Sequence, residues 1–203
     1  MIIHNMEQRS DEWFAIRQGI PTASAADKIL TPTGKLSTQS RGYMCQLIAD
    51  RAGYPEPPFD PTEWMLRGIE LEDEARRLFE FETGRTVTEV GFVTTDDATA
   101  GISPDGLIYA DGEPVAGFET KSPMAKTHIG YLLDGELPKY YKCQVHFSMA
   151  VTGLTKWWFQ SYFPGLDPLI VLVSADDYTE KVKDAITKFT NLLATESKRL
   201  GIA

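Results

Sequence analysis

The sequence has too few cysteines to lean on disulfides. Cys45 and Cys143 lie far apart, form no Cys-x-x-Cys pair, and suit neither a disulfide framework nor a zinc site. Both are read as buried free thiols in a reducing compartment. Long apolar runs are missing too: none approaches the roughly 20 residues of a membrane-spanning helix, so no membrane association is expected. Met1–Glu7 lacks the basic region and apolar core of a signal peptide, which places the chain in the cytoplasm. Histidine is scarce, and His4, His128 and His146 share no ligand spacing, so each is expected to be structural. There is no internal repeat and no low-complexity tract.

An excess of positive charge is also absent. The net charge is −9, which at first discourages a nucleic-acid reading, because phosphate binding normally wants basic surface. The distribution softens the objection. Residues 54–100 carry 12 acidic and 4 basic residues, whereas residues 115–160 carry 5 lysines against 3 acids. Carboxylates are also what a metal-using nuclease needs, and a bound cation changes the local field. Charge alone excludes nothing here.

What is present fits one globular domain of 203 residues. A chain of this length hides about 70% of its unfolded surface on folding and needs no covalent staple. Ser10 followed by Asp11, Glu12, Trp13 and Phe14 predicts a capped short helix ending near Gly19. Further helices are predicted over 22–29, 37–52 and, most clearly, Thr62–Thr83 with a Gly84 stop. The Pro-rich stretch 54–61 reads as a loop. Strands are predicted over 86–94, 100–109 and 115–120, with Asp111-Gly112 as a hairpin turn. A helix over 138–151, strands over 156–163 and 169–173, and a terminal helix complete the order. The expectation is a single domain spanning residues 1–203, with a helical N-terminal region (1–83), a sheet core (86–173) and a C-terminal helix (176–201). The fold class is α/β (α+β), a mixed central β-sheet flanked by helices.

Three short elements carry chemistry. Ser103-Pro104-Asp105-Gly106 sets a carboxylate at a bend in a strand-like run. Glu119-Thr120-Lys121 puts an acid and a base on one face of a strand by period-2 geometry. Arg67-Gly68-Ile69-Glu70-Leu71-Glu72 opens the long helix. Hydrolysis of a phosphodiester uses such residues: Mg²⁺ takes a few carboxylate oxygens and keeps waters and substrate phosphate as its other ligands. A neighbouring lysine orients water or offsets charge on phosphorus. Each element also has an ordinary reading, as a type I turn, a solvated strand face, or acids favoured at a helix start. Only their joint occurrence is specific.

The hairpin sets a geometric condition. If Asp111-Gly112 closed a regular ladder, Ala110 would face Glu113 and Asp105 would face Phe118, turning Asp105 and Glu119 to opposite faces. A shared cation therefore demands a bulge or odd connection, at Gly106 or near Pro114.

Asp105 followed by Glu119-x-Lys121 resembles the PD-(D/E)XK nuclease signature. The Ser-Pro-Asp-Gly bend, the Gly68-x-x-x-Glu72 helix ahead of it and the Gln144-bearing helix after it are similar to the lambda exonuclease branch, the YqaJ-like viral recombinases. Glu12–Ser24 resembles that family's N-terminal Trp-x-x-x-Arg-x-Gly-x-x-Thr-Ala-Ser block, Glu72–Phe81 its helix and Gln144–Met149 its Gln motif, covering about residues 10–160. The resemblance implies a restriction-endonuclease-like core. It implies that Asp105 and Glu119 bind Mg²⁺ (Mn²⁺ being the alternative), with the Thr120 carbonyl as a further ligand and Glu72 in support. Lys121 would position or help deprotonate the water, and Arg17, Ser24, Ser103 and Gln144 would form a 5′-phosphate pocket. The activity implied is 5′→3′ digestion of one strand of linear duplex DNA, leaving 3′ single-stranded tails for phage-type recombination. It further implies a ring-shaped homotrimer acting on DNA ends beside a single-strand annealing protein. One departure stands out: the wider superfamily often has Tyr four residues after the Gln, and here that residue is Ser148.

Trp157-Trp158-Phe159 is more simply a core strand than a base-stacking platform. Trp13, four residues before Arg17, is a candidate wall of the pocket. Two other readings stand beside the exonuclease: an endonuclease of the same superfamily, and a catalytically silent DNA-binding module of the same fold.

Overall fold

The computed structural model describes residues 1–56 and 62–202. Some of the Pro-rich stretch predicted as a loop, residues 57–61, lies outside the described residues. Two sheets organise the chain. Strands β1 (Ile2–His4), β2 (Phe92–Thr94) and β3 (Gly101–Ile102) form a small antiparallel sheet in that order. Strands β4 (Gly106–Ala110), β5 (Glu113–Lys121), β6 (Lys156–Ser161) and β7 (Leu169–Ser174) form the larger sheet in sequence order. Within it β5 and β6 are parallel and the other pairs antiparallel, so this sheet is mixed as the sequence predicts. A parallel pair needs a long crossover. Here it holds two helices, α4 (Ala125–Asp134) and α5 (Lys139–Thr152).

Helix boundaries follow local chemistry. Ser10 caps α1 (Asp11–Arg17) by accepting from the Trp13 amide at 3.3 Å. Thr62 caps α3 (Glu63–Thr83), which stops at Gly84 in the left-handed region. Asp176 and Thr179 form a reciprocal capping box at the start of α6 (Asp177–Arg199). Between α1 and α3 lies α2 (Ser40–Arg51).

Alternation along the strands sorts the core into two clusters. Leu107, Trp157 and Phe159 join the main cluster with Val145, Phe147 and Met149 of α5, and α6 closes over that helix. Ile108, Ala116 and Phe118 point the other way, onto Phe79 of α3. The larger sheet is thus covered by α5 on one face and α3 on the other. No helix among the described residues is long and apolar enough to cross a membrane.

The hairpin between β4 and β5 meets the geometric condition. Asp111 and Gly112 both have positive φ, 52° and 84°, as a tight primed turn requires. Ala110 faces Glu113 and Tyr109 faces Pro114, but Ile108 then faces Ala116 and Gly106 faces Phe118. Val115 is the extra residue of a bulge next to Pro114. The shift carries Asp105 from opposite Phe118 to opposite Glu119.

Several expectations are corrected. The predicted strand over 86–94 is a strand only at 92–94: residues before it run past β4 with a single bridge, Thr88 to Leu107. The predicted helix over 22–29 is a 3-10 segment, Ala23–Lys28. Its start is pinned, since Thr22 bridges to Gly101 and its amide donates to the Tyr43 hydroxyl at 3.1 Å. Cys143 is buried as expected, but Cys45 is exposed. It lies off the stripe of α2 that buries Tyr43, Leu47 and Ile48.

Gly117 shows how close the packing is. A Cβ there would fall 2.2 Å from the ring of Trp157, which is fully buried. Gly117→Ala is expected to cost about 1–3 kcal/mol by overpacking, read as a lower urea midpoint with an unchanged slope. An unchanged midpoint would mean that the Trp157 ring moves aside freely.

Candidate active site

The bend between β3 and β4 carries the first carboxylate. The Gln8 side chain clamps it by donating from Nε2 to the carbonyls of Val90 and Pro104, each at 2.9 Å. Asp105 then reaches across the hairpin and accepts from the Thr120 amide at 2.7 Å. Beside it, Glu119 points to the α5 face, where it accepts from Gln144 Nε2 at 2.6 Å and from the ammonium of Lys121. Glu72 comes from α3 and accepts from Arg9 Nη2 at 2.9 and 3.2 Å.

Burial governs the electrostatics. It pushes Glu119 up to about 7, against the pull of Lys121 and with the repulsion of Asp105. Burial raises Asp105 as well, with Lys121 and the Thr120 amide opposing. Glu72 rises for the same first reason, helped by Asp105 and opposed by Arg9. For Lys121 burial favours the neutral form, but Glu119 and Asp105 outweigh it and raise its pKa. In the cation-free fold its two carboxylate neighbours thus favour the charged form of Lys121.

Two cavities meet at this cluster. One of about 680 Å³ is bordered by Gln8, Arg9, Glu72, Asp105 and Thr120. The second, about 450 Å³, is bordered by Arg9, Arg67, Glu72, Thr120, Lys121 and Tyr141.

A different kind of site lies two residues upstream of Asp105. Arg17 Nη1 donates to Ser103 Oγ at 2.5 Å, and Trp13 Nε1 donates to the same oxygen at 3.0 Å. The Arg17 guanidinium lies 3.9 Å from the Trp13 ring centre and 5.7 Å from that of Phe92. Among the described residues no carboxylate stands within ion-pair distance of Arg17. Burial pulls its pKa down to about 10, with Tyr43 acting the other way. A half-buried guanidinium facing a hydroxyl without a counter-ion is a place for an anion.

The structure brings Asp105, Glu119, Thr120, Lys121 and Gln144 together, and Arg17 with Ser103. Ser24 is exposed, and its hydroxyl lies 3.2 Å from that of Thr22, beside the start of β3 through the Thr22–Gly101 bridge. Ser148 turns its hydroxyl to the Gln144 carbonyl at 3.0 Å and away from the cluster. Sequence reasoning missed Gln8 and Arg9, neither of which has a local signature. Trp13 stacks on Arg17 and shares the Ser103 hydroxyl with it.

Among the described residues no three His, Cys, Asp or Glu side chains form a ready metal cage. The Asp105 and Glu119 carboxylates suit Mg²⁺, which needs only one or two carboxylates with waters and phosphate. Asp105 and Glu119 repel each other in a buried setting, a strain that a cation would relieve.

The model of the YqaJ-like viral recombinase domain matches residues 12–155, well over half of the chain. The chain belongs to the YqaJ-like viral recombinase family. This recombinase-family chain is also similar to the crystal structure of an alkaline exonuclease from Laribacter hongkongensis. The identity is 32% and the TM-score 0.81, over 95% of this chain and 96% of that one. The same enzyme in complex with dAMP matches with a TM-score of 0.80 at 31% identity, over 94% and 96% of the two chains. A phage-related exonuclease from Haemophilus somnus 129PT, at 16% identity, shares the fold with a TM-score of 0.62, over 87% and 96%. No curated protein sequence matches.

The raised Glu119 pKa has a signed consequence. In the unfolded chain this carboxyl ionises near its ordinary 4.5, and in the cation-free fold near 7. The fold is therefore penalised progressively as pH rises between those values, and fully above about 7. Glu119→Gln removes the penalty. In chelator, the variant is expected to gain stability relative to wild type from pH 5 to pH 8, measured by urea unfolding. A constant difference across that range would show that Glu119 is ionised in the fold throughout.

Proposed function

We propose that this chain is a Mg²⁺-dependent exonuclease that digests one strand of linear duplex DNA in the 5′→3′ direction and leaves 3′ single-stranded tails. One observation carries the reading: an anion site at Arg17 and Ser103 sits two residues from a cation site at Asp105 and Glu119. A terminal phosphate held in the first sets a phosphodiester beside the second. The 32% identity to an alkaline exonuclease supports it.

Asp105, Glu119 and the Thr120 carbonyl would hold the cation, with Glu72 in support. Bound there, Mg²⁺ supplies an acidified water and neutralises charge on the phosphate. The chain does the rest by positioning. Gln144 and Lys121 fix the Glu119 carboxylate. Lys121, held charged, orients the attacking water and donates to the oxygen on which charge builds. Arg17, with Ser103, Ser24 and the side of Gln144, forms the 5′-phosphate pocket, and Trp13 walls it. The same reading includes work in the cytoplasm as a homotrimer on DNA ends, beside a single-strand annealing protein in phage-type recombination.

The test is digestion of linear duplexes with 5′-phosphate or 5′-hydroxyl ends and of closed circles, with Mg²⁺ or chelator. Loss of the phosphorylated linear substrate in Mg²⁺ alone, with circles intact, is the expected result. Cut circles would make the protein an endonuclease, and no cleavage would make it a silent binding module. Two variants refine the roles. Lys121→Ala is expected to abolish cleavage while duplex binding survives; equal loss of both would reduce Lys121 to a phosphate contact. Arg17→Ala is expected to erode the preference for phosphorylated ends, and an unchanged preference would remove Arg17 from the pocket.

A further inference from the structure

Arg9 is placed where its backbone resists and its neighbours do not explain it. Its φ is 73°, the left-handed region that a long L side chain rarely adopts. The other two such non-glycine residues among those described, Ala98 and Asp111, sit in chain reversals, Asp111 in the hairpin turn and Ala98 between β2 and β3. Arg9 lies between Gln8, clamped onto Val90 and Pro104, and Ser10, the cap of α1. Both neighbours are fixed, so the strained residue is held with its side chain in the cleft.

The contact it makes there is a weak reason for the strain. Arg9 uses one nitrogen, Nη2, on both oxygens of Glu72, and the two side chains are 45% and 41% exposed. An ion pair so open to water contributes little to stability. The position is more informative. Arg9, Glu72 and Thr120 border both cavities, so the pair stands at the partition between the side holding Asp105 and the side holding Lys121. Arg9 Nη1 and Nε donate to no other group of the described chain. A guanidinium fixed at one corner, with donors free toward an open cleft, suits a phosphate oxygen.

Arg17 already serves the end of the strand, on the Ser103 side of the bend. Arg9 is tied to its Pro104 side through Gln8. We propose that Arg9 is a second phosphate-binding residue: it holds a backbone phosphate of the DNA strand, distinct from the terminal one, while Glu72 fixes its orientation. This rests on the exonuclease reading. Arg9 is a positioning residue, which sets where the strand crosses the carboxylate pair.

Counting phosphates tests it. A 5′-phosphorylated duplex is titrated with the full-length protein in Ca²⁺, with cleavage monitored, over a range of salt. Each neutralised phosphate contributes about 0.9 to the slope of log K against log salt. Arg9→Ala and Arg9→Gly are both expected to weaken binding and to flatten the slope by about one unit. Glycine accepts the backbone conformation, so agreement between the two excludes a folding defect as the cause. Arg9→Lys is expected to keep the slope with weaker binding, having the charge but not the fork. A slope unchanged in both Ala and Gly variants would overturn the proposal. So would a changed Ca²⁺ affinity in DNA-free calorimetry as their only defect, which would make Arg9 merely a partner for Glu72. Failure of the wild-type protein to bind duplex at all would sink the exonuclease reading and the inference together.

Discussion

The carboxylate pair depends on one inserted residue. Strand side chains alternate strictly, so the faces of Asp105 and Glu119 are decided by the parity of the connection between them. The tight Asp111-Gly112 turn alone gives the wrong parity. Val115 bulges out beside Pro114, where a proline has already removed an amide from the ladder, and the parity is restored. Gln144 is useful only because Glu119 points toward α5, and Lys121 meets Glu119 only because both share that face.

The cluster is poorly designed for stability. A buried acid, Glu119, is crowded by half-buried Asp105 and Lys121, and an ion pair taken out of water often contributes less than apolar packing of equal volume. Around it the core is conventional: Phe79 on Phe118 at 4.5 Å between ring centres, and α5 seated between the two sheets. This contrast separates a site from a scaffold. The same contrast holds at Arg17, where a half-buried guanidinium sits among Trp13, Phe92 and Ser103 with no carboxylate of the described residues to balance it.

Much of this was legible in the sequence where the signal is local. Ser10, Thr62 and Gly84 announce helix ends, and Asp111-Gly112 announces the turn. The resemblance located Asp105, Glu119, Lys121, Gln144 and Arg17, and the face argument said that a bulge had to exist. What was not legible is long-range. β1 is three residues long and becomes a strand only by pairing with β2, some 90 residues away. Residues 86–91 have strand-like composition but a single bridging partner. Helix α4 was missed because Met124 offers no side-chain cap and Gly130 interrupts its pattern. Arg9 carries no local mark at all, since nothing in the sequence around it signals a left-handed backbone.

The spacing of the partners along the chain has a consequence for how the protein comes into being. Gln8 meets Pro104 across 96 residues, Arg17 meets Ser103 across 86, and Gln144 reaches back 25 residues to Glu119. Contacts of such separation form slowly, because loop closure must precede their reward. During synthesis Arg17 emerges early and waits without its Ser103 partner. The carboxylates follow at mid-chain, and β5 becomes an interior strand only after α4, α5 and then β6 have left the ribosome. A nascent or truncated chain therefore holds the pieces of the cluster without its arrangement. Assembly order itself keeps the chemistry silent until the fold is nearly whole.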